Sequence, residues 1–209
     1  MHLKLSERRV TNVAVRHNRL GKMRGGIILF VFLAWAAGLN GWAAAGPEQG
    51  TVSLGQVAGL PDTEVLAPVY FTPSSPQVRV GRISATVHFE NKSVSFVRAE
   101  KGIQLDSTNG TFEVKADEDA KNAGQSILHL KVSAGAGERF RDGLLIFLRF
   151  AIKSNAPAAA TITLQLRDVD ASDVETPPRP VTPLVAKNGT IQVMKPEDVP
   201  YTACFFFSH

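Results

Sequence analysis

From residue 51 onward, apolar side chains recur at every second position, a period that suits strands and little else. Ile83, Ala85, Val87 and Phe89 share one side of a run whose other side is Arg82, Ser84, Thr86 and His88. Leu128, Leu130 and Val132 alternate with His129 and Lys131; Ile162, Leu164 and Leu166 alternate with Thr161, Thr163, Gln165 and Arg167. Val65, Ala67, Val69 and Phe71 form another set, with Pro68 on the opposite face. Successive strand side chains point to opposite faces, so each run reads as a strand with one buried side. Pro68 has no N–H to give a neighbour, so its strand is expected to lie at an edge or to carry a bulge. Further short strands are expected at 51–57, 94–99, 110–116 and 189–194. Gly59-Leu60-Pro61-Asp62, Pro73-Ser74-Ser75-Pro76, Asn109-Gly110, Gly135-Ala136-Gly137 and Asn188-Gly189 punctuate the runs as turns. No segment holds a helical period with caps; Asp117 to Gln125 offers one helical turn or a loop. The fold class expected is all-β: an antiparallel sandwich of roughly nine strands, one face of each sheet buried.

Residues 143–153 depart from simple alternation. Leu144, Ile146, Leu148, Phe150 and Ile152 are expected inward, and Leu145 and Phe147 outward beside Arg149 and Lys153. An outward Leu and Phe need cover, either a loop laid over the strand or a docked partner.

The first 45 residues are of another kind. A cationic stretch leads into Ile27-Ile28-Leu29-Phe30-Val31-Phe32-Leu33-Ala34-Trp35, then Gly38, then Ala43-Ala44-Ala45. These are the marks of a secretory signal peptide cut between Ala45 and Gly46. The apolar run is short and interrupted for a membrane span. Met1 to Lys22 is long for the leading segment of such a signal, whereas Met23-Arg24-Gly25-Gly26 would open a compact one, so Met23 is an alternative start. The chain divides into a signal peptide at 1–45, a sandwich at 46–195, and a linker with an apolar tail at 196–209. Localisation is expected to be secreted or in a bacterial cell envelope, periplasmic or extracellular.

Charge follows the same division. Seven of the 23 Lys and Arg and one of the 19 acids precede Gly46, leaving 16 basic against 18 acidic residues and a formal charge of −2. The exported part therefore has no electrostatic footprint for nucleic acid. Cys204 is the single cysteine, so no intrachain disulfide is available and burial must stabilise the fold.

No His-Glu-x-x-His, Gly-x-Ser-x-Gly, Walker loop or Gly-x-Gly-x-x-Gly occurs. His88, His129 and His209 follow the leader; His88 and His129 would approach if their strands are neighbours, without a third metal ligand at suitable spacing. Asp168-x-Asp170-x-x-Asp173, with Glu175 beyond, is a weak calcium candidate, with a solvated acidic loop as the competing reading. No other cofactor is expected. Trp35 and Trp42 belong to the leader, which leaves Tyr70 and Tyr201 as the candidates for stacking on a sugar.

Several segments, in order, resemble a cohesin domain, a sandwich module of bacterial cellulosome scaffolds similar in fold to certain carbohydrate-binding modules. They are Val52 to Gly59, the turn at Pro61-Asp62, and Glu64 to Phe71; then Ile83 to Phe89 with Glu90-Asn91-Lys92-Ser93-Val94. Asp142 to Leu145 and Ile152 to Ala156 follow, then Thr161 to Asp168, Asp170, and Asn188-Gly189-Thr190-Ile191-Gln192-Val193. The resemblance implies a nine-stranded jelly-roll that binds a dockerin-like protein on one sheet face and does not catalyse. It places that face on the strands at 80–89, 110–116, 126–133 and 143–152. The outward residues would be Arg82, Ser84, Thr86, His88, His129, Lys131, Leu145, Phe147 and Arg149. Cellulosomal cohesins tend to carry Asn and Asp on the first of these strands; Arg82 and Ser84 stand here instead and point to a different partner. Carbohydrate binding in polysaccharide breakdown is the alternative function.

Lys195-Pro196-Glu197-Asp198-Val199-Pro200 reads as an extended linker. Tyr201-Thr202-Ala203-Cys204-Phe205-Phe206-Phe207-Ser208-His209 is then strongly apolar. It fits a strand added to this domain or to a partner, and Cys204 offers a disulfide to a second chain.

Overall fold

The computed structural model describes residues 47–120 and 122–198. The leader, its cleavage site, the alternative start and the tail with Cys204 lie outside the described residues. Eleven strand segments follow one another: β1 (Gly50–Leu54), β2 (Gln56–Gly59), β3 (Glu64–Pro73), β4 (Arg82–Glu90), β5 (Val94–Lys101), β6 (Thr111–Glu118), β7 (Gln125–Ser133), β8 (Gly143–Ile152), β9 (Thr161–Ser172), β10 (Leu184–Lys187) and β11 (Gly189–Val193). A short helix, α1 (Ile103–Ser107), lies between β5 and β6, and a 3-10 turn at Pro196–Asp198 follows β11.

The strands form a five-stranded sheet, β10-β1-β3-β8-β5, and a six-stranded sheet, β2-β11-β9-β4-β7-β6. Inward residues of both meet in one core, with Ala67, Phe71, Leu148 and Phe150 from the first and Val87, Leu128, Leu164 and Ile191 from the second. Phe89 and Phe150 join the layers edge to face at 5.2 Å, the arrangement that aromatic quadrupoles favour.

The all-β sandwich is as expected, but the strand count and pairing differ. The run expected at 51–57 breaks at Gly55: β1 belongs to the five-stranded sheet and β2 to the six-stranded one. The run expected at 189–194 is β11, in the six-stranded sheet, and ahead of the expected Asn188-Gly189 turn an additional strand, β10, joins the five-stranded sheet. The break and the additional strand turn nine strands into eleven segments. They also bring parallel pairing into a fold expected to be antiparallel, since β1 runs parallel to β10 and β2 to β11.

Pro68 marks the crossing. β3 pairs with β1 from Pro73 back to Val69, and there β1 leaves the sheet. The Pro68 carbonyl accepts the Gly55 N–H at 2.8 Å. In an antiparallel ladder the N and O of one residue face the same side, so the missing Pro68 N–H faces the space that β1 has vacated. A Cβ on Gly55 would stand 2.5 Å from Pro68 Cγ, and one on Gly189 would meet the Gly55 carbonyl oxygen. Close approach at this double crossing requires both glycines.

Two expectations are corrected locally. β6 extends to Glu118, so the segment from Asp117 begins as strand and turns only after it. Leu145 is 1% exposed and sits in the core instead of pointing outward. Val69 pairs with Ile146 and Tyr70 with Leu144, which leaves Leu145 as the extra residue of a β-bulge. The bulged backbone is capped by the chain entering α1: the Leu145 carbonyl accepts the Gly102 N–H at 2.8 Å, and Gln104 Nε2 donates to the Asp142 carbonyl at 3.1 Å. Ile146, Leu148, Phe150 and Ile152 are buried and Leu144 is half-buried.

Candidate functional site

Alternation sets up the outer face of the six-stranded sheet. Ile83, Ala85, Val87 and Phe89 enter the core, so Arg82, Ser84, Thr86 and His88 line the outside of β4. On β7, Leu128, Leu130 and Val132 are buried and His129 and Lys131 are exposed. β4 and β7 pair directly: Thr86 stands opposite His129, Ser84 opposite Lys131 and His88 opposite Ile127. Six of the nine residues expected on the binding face therefore share one surface.

The remaining three do not. Leu145, Phe147 and Arg149 belong to β8, in the five-stranded sheet on the far side of the sandwich. The fourth strand of the face is β9 (Thr161–Ser172), which brings Arg167 beside Thr86, Gln165 beside His88, Asp170 beside Ser84 and Ser172 beside Arg82. On the other flank, β6 adds Glu113, Lys115 and Asp117, opposite Lys131, His129 and Ile127. Gln165 and Arg167 were visible as the polar side of an alternating run. Their membership of this sheet rests on pairing between distant strands, which alternation does not encode.

The face is polar, and some of its charges are paired locally. A second bulge opposes Asp168 and Val169 to Ala85, between the pairs at Ser84 and Thr86. Asp168 takes a left-handed backbone, φ 49°, and its carboxylate accepts the Thr86 hydroxyl at 2.9 Å. Thr86 Oγ1 also lies 3.3 Å from His88 Nε2. On β6, Lys115 Nζ lies 2.9 Å from Glu113. The hydrogen bond from Lys115 holds the Glu113 carboxyl below its ordinary range, with Lys131 adding charge, and Glu113 in turn raises Lys115. His129 Nε2 stands 3.4 Å from Asp117 Oδ2.

Two shallow hollows occupy the ends of the face. One, of about 310 Å³, is lined by Arg82, Ser84, Lys131, Ser133, Asp170 and Ser172. The other, of about 640 Å³, includes His88, His129, Asp117, Asp119, Gln165 and Arg167. The two histidines do come to neighbouring strands and line the same hollow. Among the described residues, no group of three or more His, Cys, Asp or Glu is arranged to hold a metal ion. Of the calcium candidates, Asp168 is engaged with Thr86, and Asp173 accepts the N–H groups of Glu175 and Arg179 at 3.1 and 2.8 Å.

Arg149 has another task. Its guanidinium reaches Glu100 at 2.6 Å and Glu64 at 2.8 Å, and Arg98 reaches Glu100 at 3.1 Å. These pairs tie β3, β8 and β5 together across the outside of the five-stranded sheet. Hydrogen bonds from Arg149 and then Arg98 hold the Glu100 carboxyl below its ordinary value, and those to Glu64 and Glu100 raise Arg149.

The same two-layered fold occurs in solved structures. A non-cellulosomal cohesin from Archaeoglobus fulgidus is 17% identical at TM-score 0.55, over 72% of this chain and 94% of that one. CaCohA2 of Clostridium acetobutylicum, in a structure with CaDoc0917(R16D), is 23% identical at TM-score 0.54, over 69% and 99%. The sixth cohesin of scaffoldin B from Acetivibrio cellulolyticus is 18% identical at TM-score 0.52, over 69% and 98%. No curated protein matches the sequence. The family model of the cohesin domain matches residues 50–193, from the start of β1 to the end of β11. With that match spanning both sheets, the chain belongs to the cohesin domain family.

Proposed function

We propose that this chain is a non-catalytic binding module that holds a dockerin-like protein on the outer face of its six-stranded sheet. The observation that carries this is the register. Three of the four strands expected to form the face, β4, β7 and β6, lie side by side, and β9 completes a broad polar wall. Support comes from the solved relatives: the Acetivibrio cohesin is in complex with the Cel5 dockerin, and a Clostridium thermocellum structure is a cohesin–dockerin complex. Arg82 and Lys131 flank one hollow of the wall, where they would select an acidic patch on the partner. Carbohydrate binding is less favoured, because the wall presents hydroxyl, amide and charged side chains, and Tyr70 stands on the other sheet.

The test is surface binding to a panel of purified, calcium-loaded dockerins. At least one is expected to bind, and Arg82→Glu with Lys131→Glu should weaken it at least tenfold, about 1.4 kcal/mol. Phe147→Ala, on the opposite sheet, should leave that affinity unchanged. Absence of any binder, retention on cellulose instead, or loss with Phe147→Ala alone would overturn the reading. Export is part of the same proposal; N-terminal sequencing of the processed protein is expected to begin at Gly46.

A further inference from the structure

The two sheets end in four edge strands, and one of them is unlike the rest. β10 and β2 are four residues each, and β5 is interrupted by a bulge at Val97. β6 (Thr111–Glu118) is eight residues long and pairs with β7 throughout, with no shift of register. Among the described residues, no strand pairs with its other side. One bond shows which of its backbone groups face outward. The ladder continues past Glu118 to Asp119, whose N–H donates to the Gln125 carbonyl at 3.0 Å. Alternate residues of an antiparallel ladder face the same neighbour, so Thr111, Glu113, Lys115 and Asp117 bond to β7. Phe112, Val114, Ala116 and Glu118 hold their N–H and C=O groups out to the free edge. The core-facing side chains are also incompletely covered here: Phe112 and Val114 are half-buried and Ala116 is exposed.

Charge on an edge strand ordinarily keeps a second strand away. Here the charges fit a copy of themselves. An antiparallel pairing of two β6 strands about Val114 sets Val114 opposite Val114 and Phe112 opposite Ala116. Each of these residues holds its N–H and C=O groups toward the other chain, as hydrogen-bonded pairs require. On the outer side, Glu113 of each chain then stands opposite Lys115 of the other, and Thr111 opposite Asp117. Within one chain Lys115 Nζ already lies 2.9 Å from Glu113, so the four charges alternate in sign around the two-fold axis. The neighbouring registers lose this match. A slip of two residues sets Glu113 against Glu113 or Lys115 against Lys115, and like charges directly opposite are destabilising. A slip of one sets the outward backbone groups against groups already bonded to β7. On the inner side the large Phe112 meets the small Ala116, and apolar side chains that are open to water in one chain cover those of the other.

We propose that two copies of this chain join through β6, antiparallel about Val114, so that their six-stranded sheets become one. The interface is closed, because the same edge serves both copies, and the pairing does not rest on the dockerin-binding reading. The test is sedimentation of full-length chains in reducing buffer, which prevents a disulfide through Cys204. The unaltered chain is expected to reach a monomer–dimer equilibrium at micromolar concentration. Glu113→Lys alone and Lys115→Glu alone each set like charges opposite one another twice and should weaken association about tenfold or more. When the two variants are mixed, one chain brings two Lys and the other two Glu, and they should associate at least as tightly as the unaltered chain. Glu113→Lys with Lys115→Glu in the same chain keeps the complement and should restore the dimer. Amide hydrogen exchange at Phe112, Val114 and Ala116 should slow about tenfold or more in the dimer, while Glu113 and Lys115, already bonded to β7, change little. A chain that stays monomeric, single variants as dimeric as the original, no gain on mixing, or unchanged exchange at those three amides would each overturn the pairing.

Discussion

Residues 145 and 147 carry the sharpest contrast in the molecule. Both were expected outside; Leu145 is the extra residue of a bulge and is buried, while Phe147 is half-buried on the outer surface. Leu145→Ala should cost about 2–5 kcal/mol, because the site keeps a cavity when the side chain is removed. Phe147→Ala should cost about 1–2 kcal/mol, since much of its surface already meets water. Urea unfolding of the two variants checks the order; equal losses would mean that the bulge does not direct Leu145 inward. Alternation alone gave the wrong side for Leu145, because one inserted residue reverses the parity of everything on one side of it. Pro68 called for a strand at an edge or carrying a bulge; β3 instead lies between β1 and β8, β1 departs beside Pro68, and the extra residue of the nearby bulge belongs to β8.

Among the strands, the neighbours β3, β8 and β5 of the five-stranded sheet are stitched by Arg149. The sheet's pH dependence follows from Glu100, whose carboxyl is held below its ordinary value of 4.5 by Arg149 first and Arg98 second. A depressed folded value means that this stabilisation is complete above the unfolded value and is lost as pH falls through the folded one. Lowering the pH from about 5 to about 3 should therefore lower the melting temperature, and Arg149→Met should make that fall shallower; an identical slope in both proteins would show the network to be inert. The sheet switch makes a second demand on the strands. Gly55→Ala drives a Cβ against the Pro68 ring and should cost about 1–3 kcal/mol. In thermal melts, adding Pro68→Ala should recover part of that loss, since the ring is the obstacle; strictly additive losses would place the strain elsewhere. Strand existence was plain from the period-two pattern of β3, β4, β7 and β9. The break at Gly55 and the strand β10 ahead of the Asn188-Gly189 turn were not, because each depends on a residue far along the chain. The five-residue α1 is too short to leave a helical period of its own.

At the scale of the whole molecule, the two outer faces divide the chemistry. Hydroxyls, amides and charged side chains cover one wall, and an apolar strip along β3 and β8 (Leu66, Pro68, Tyr70 and Phe147), framed by self-neutralised charges, lies on the other. Six of the nine anticipated wall residues were legible because β4 and β7 pair along their whole length. The error over β8 and β9 arose because both alternate, and only long-range pairing decides which sheet a strand joins. The first and last runs have a consequence of their own. From Gly50 to Gly59 and from Leu184 to Val193 they travel side by side in the same direction, change layers at the same crossing, and bond to each other in both sheets. A pull on the chain ahead of Gly50 and behind Val193 would load these ladders along their length, so that their bonds share the force instead of unzipping one by one. Mechanical toughness along the line between the domain's two ends is thus built into its topology.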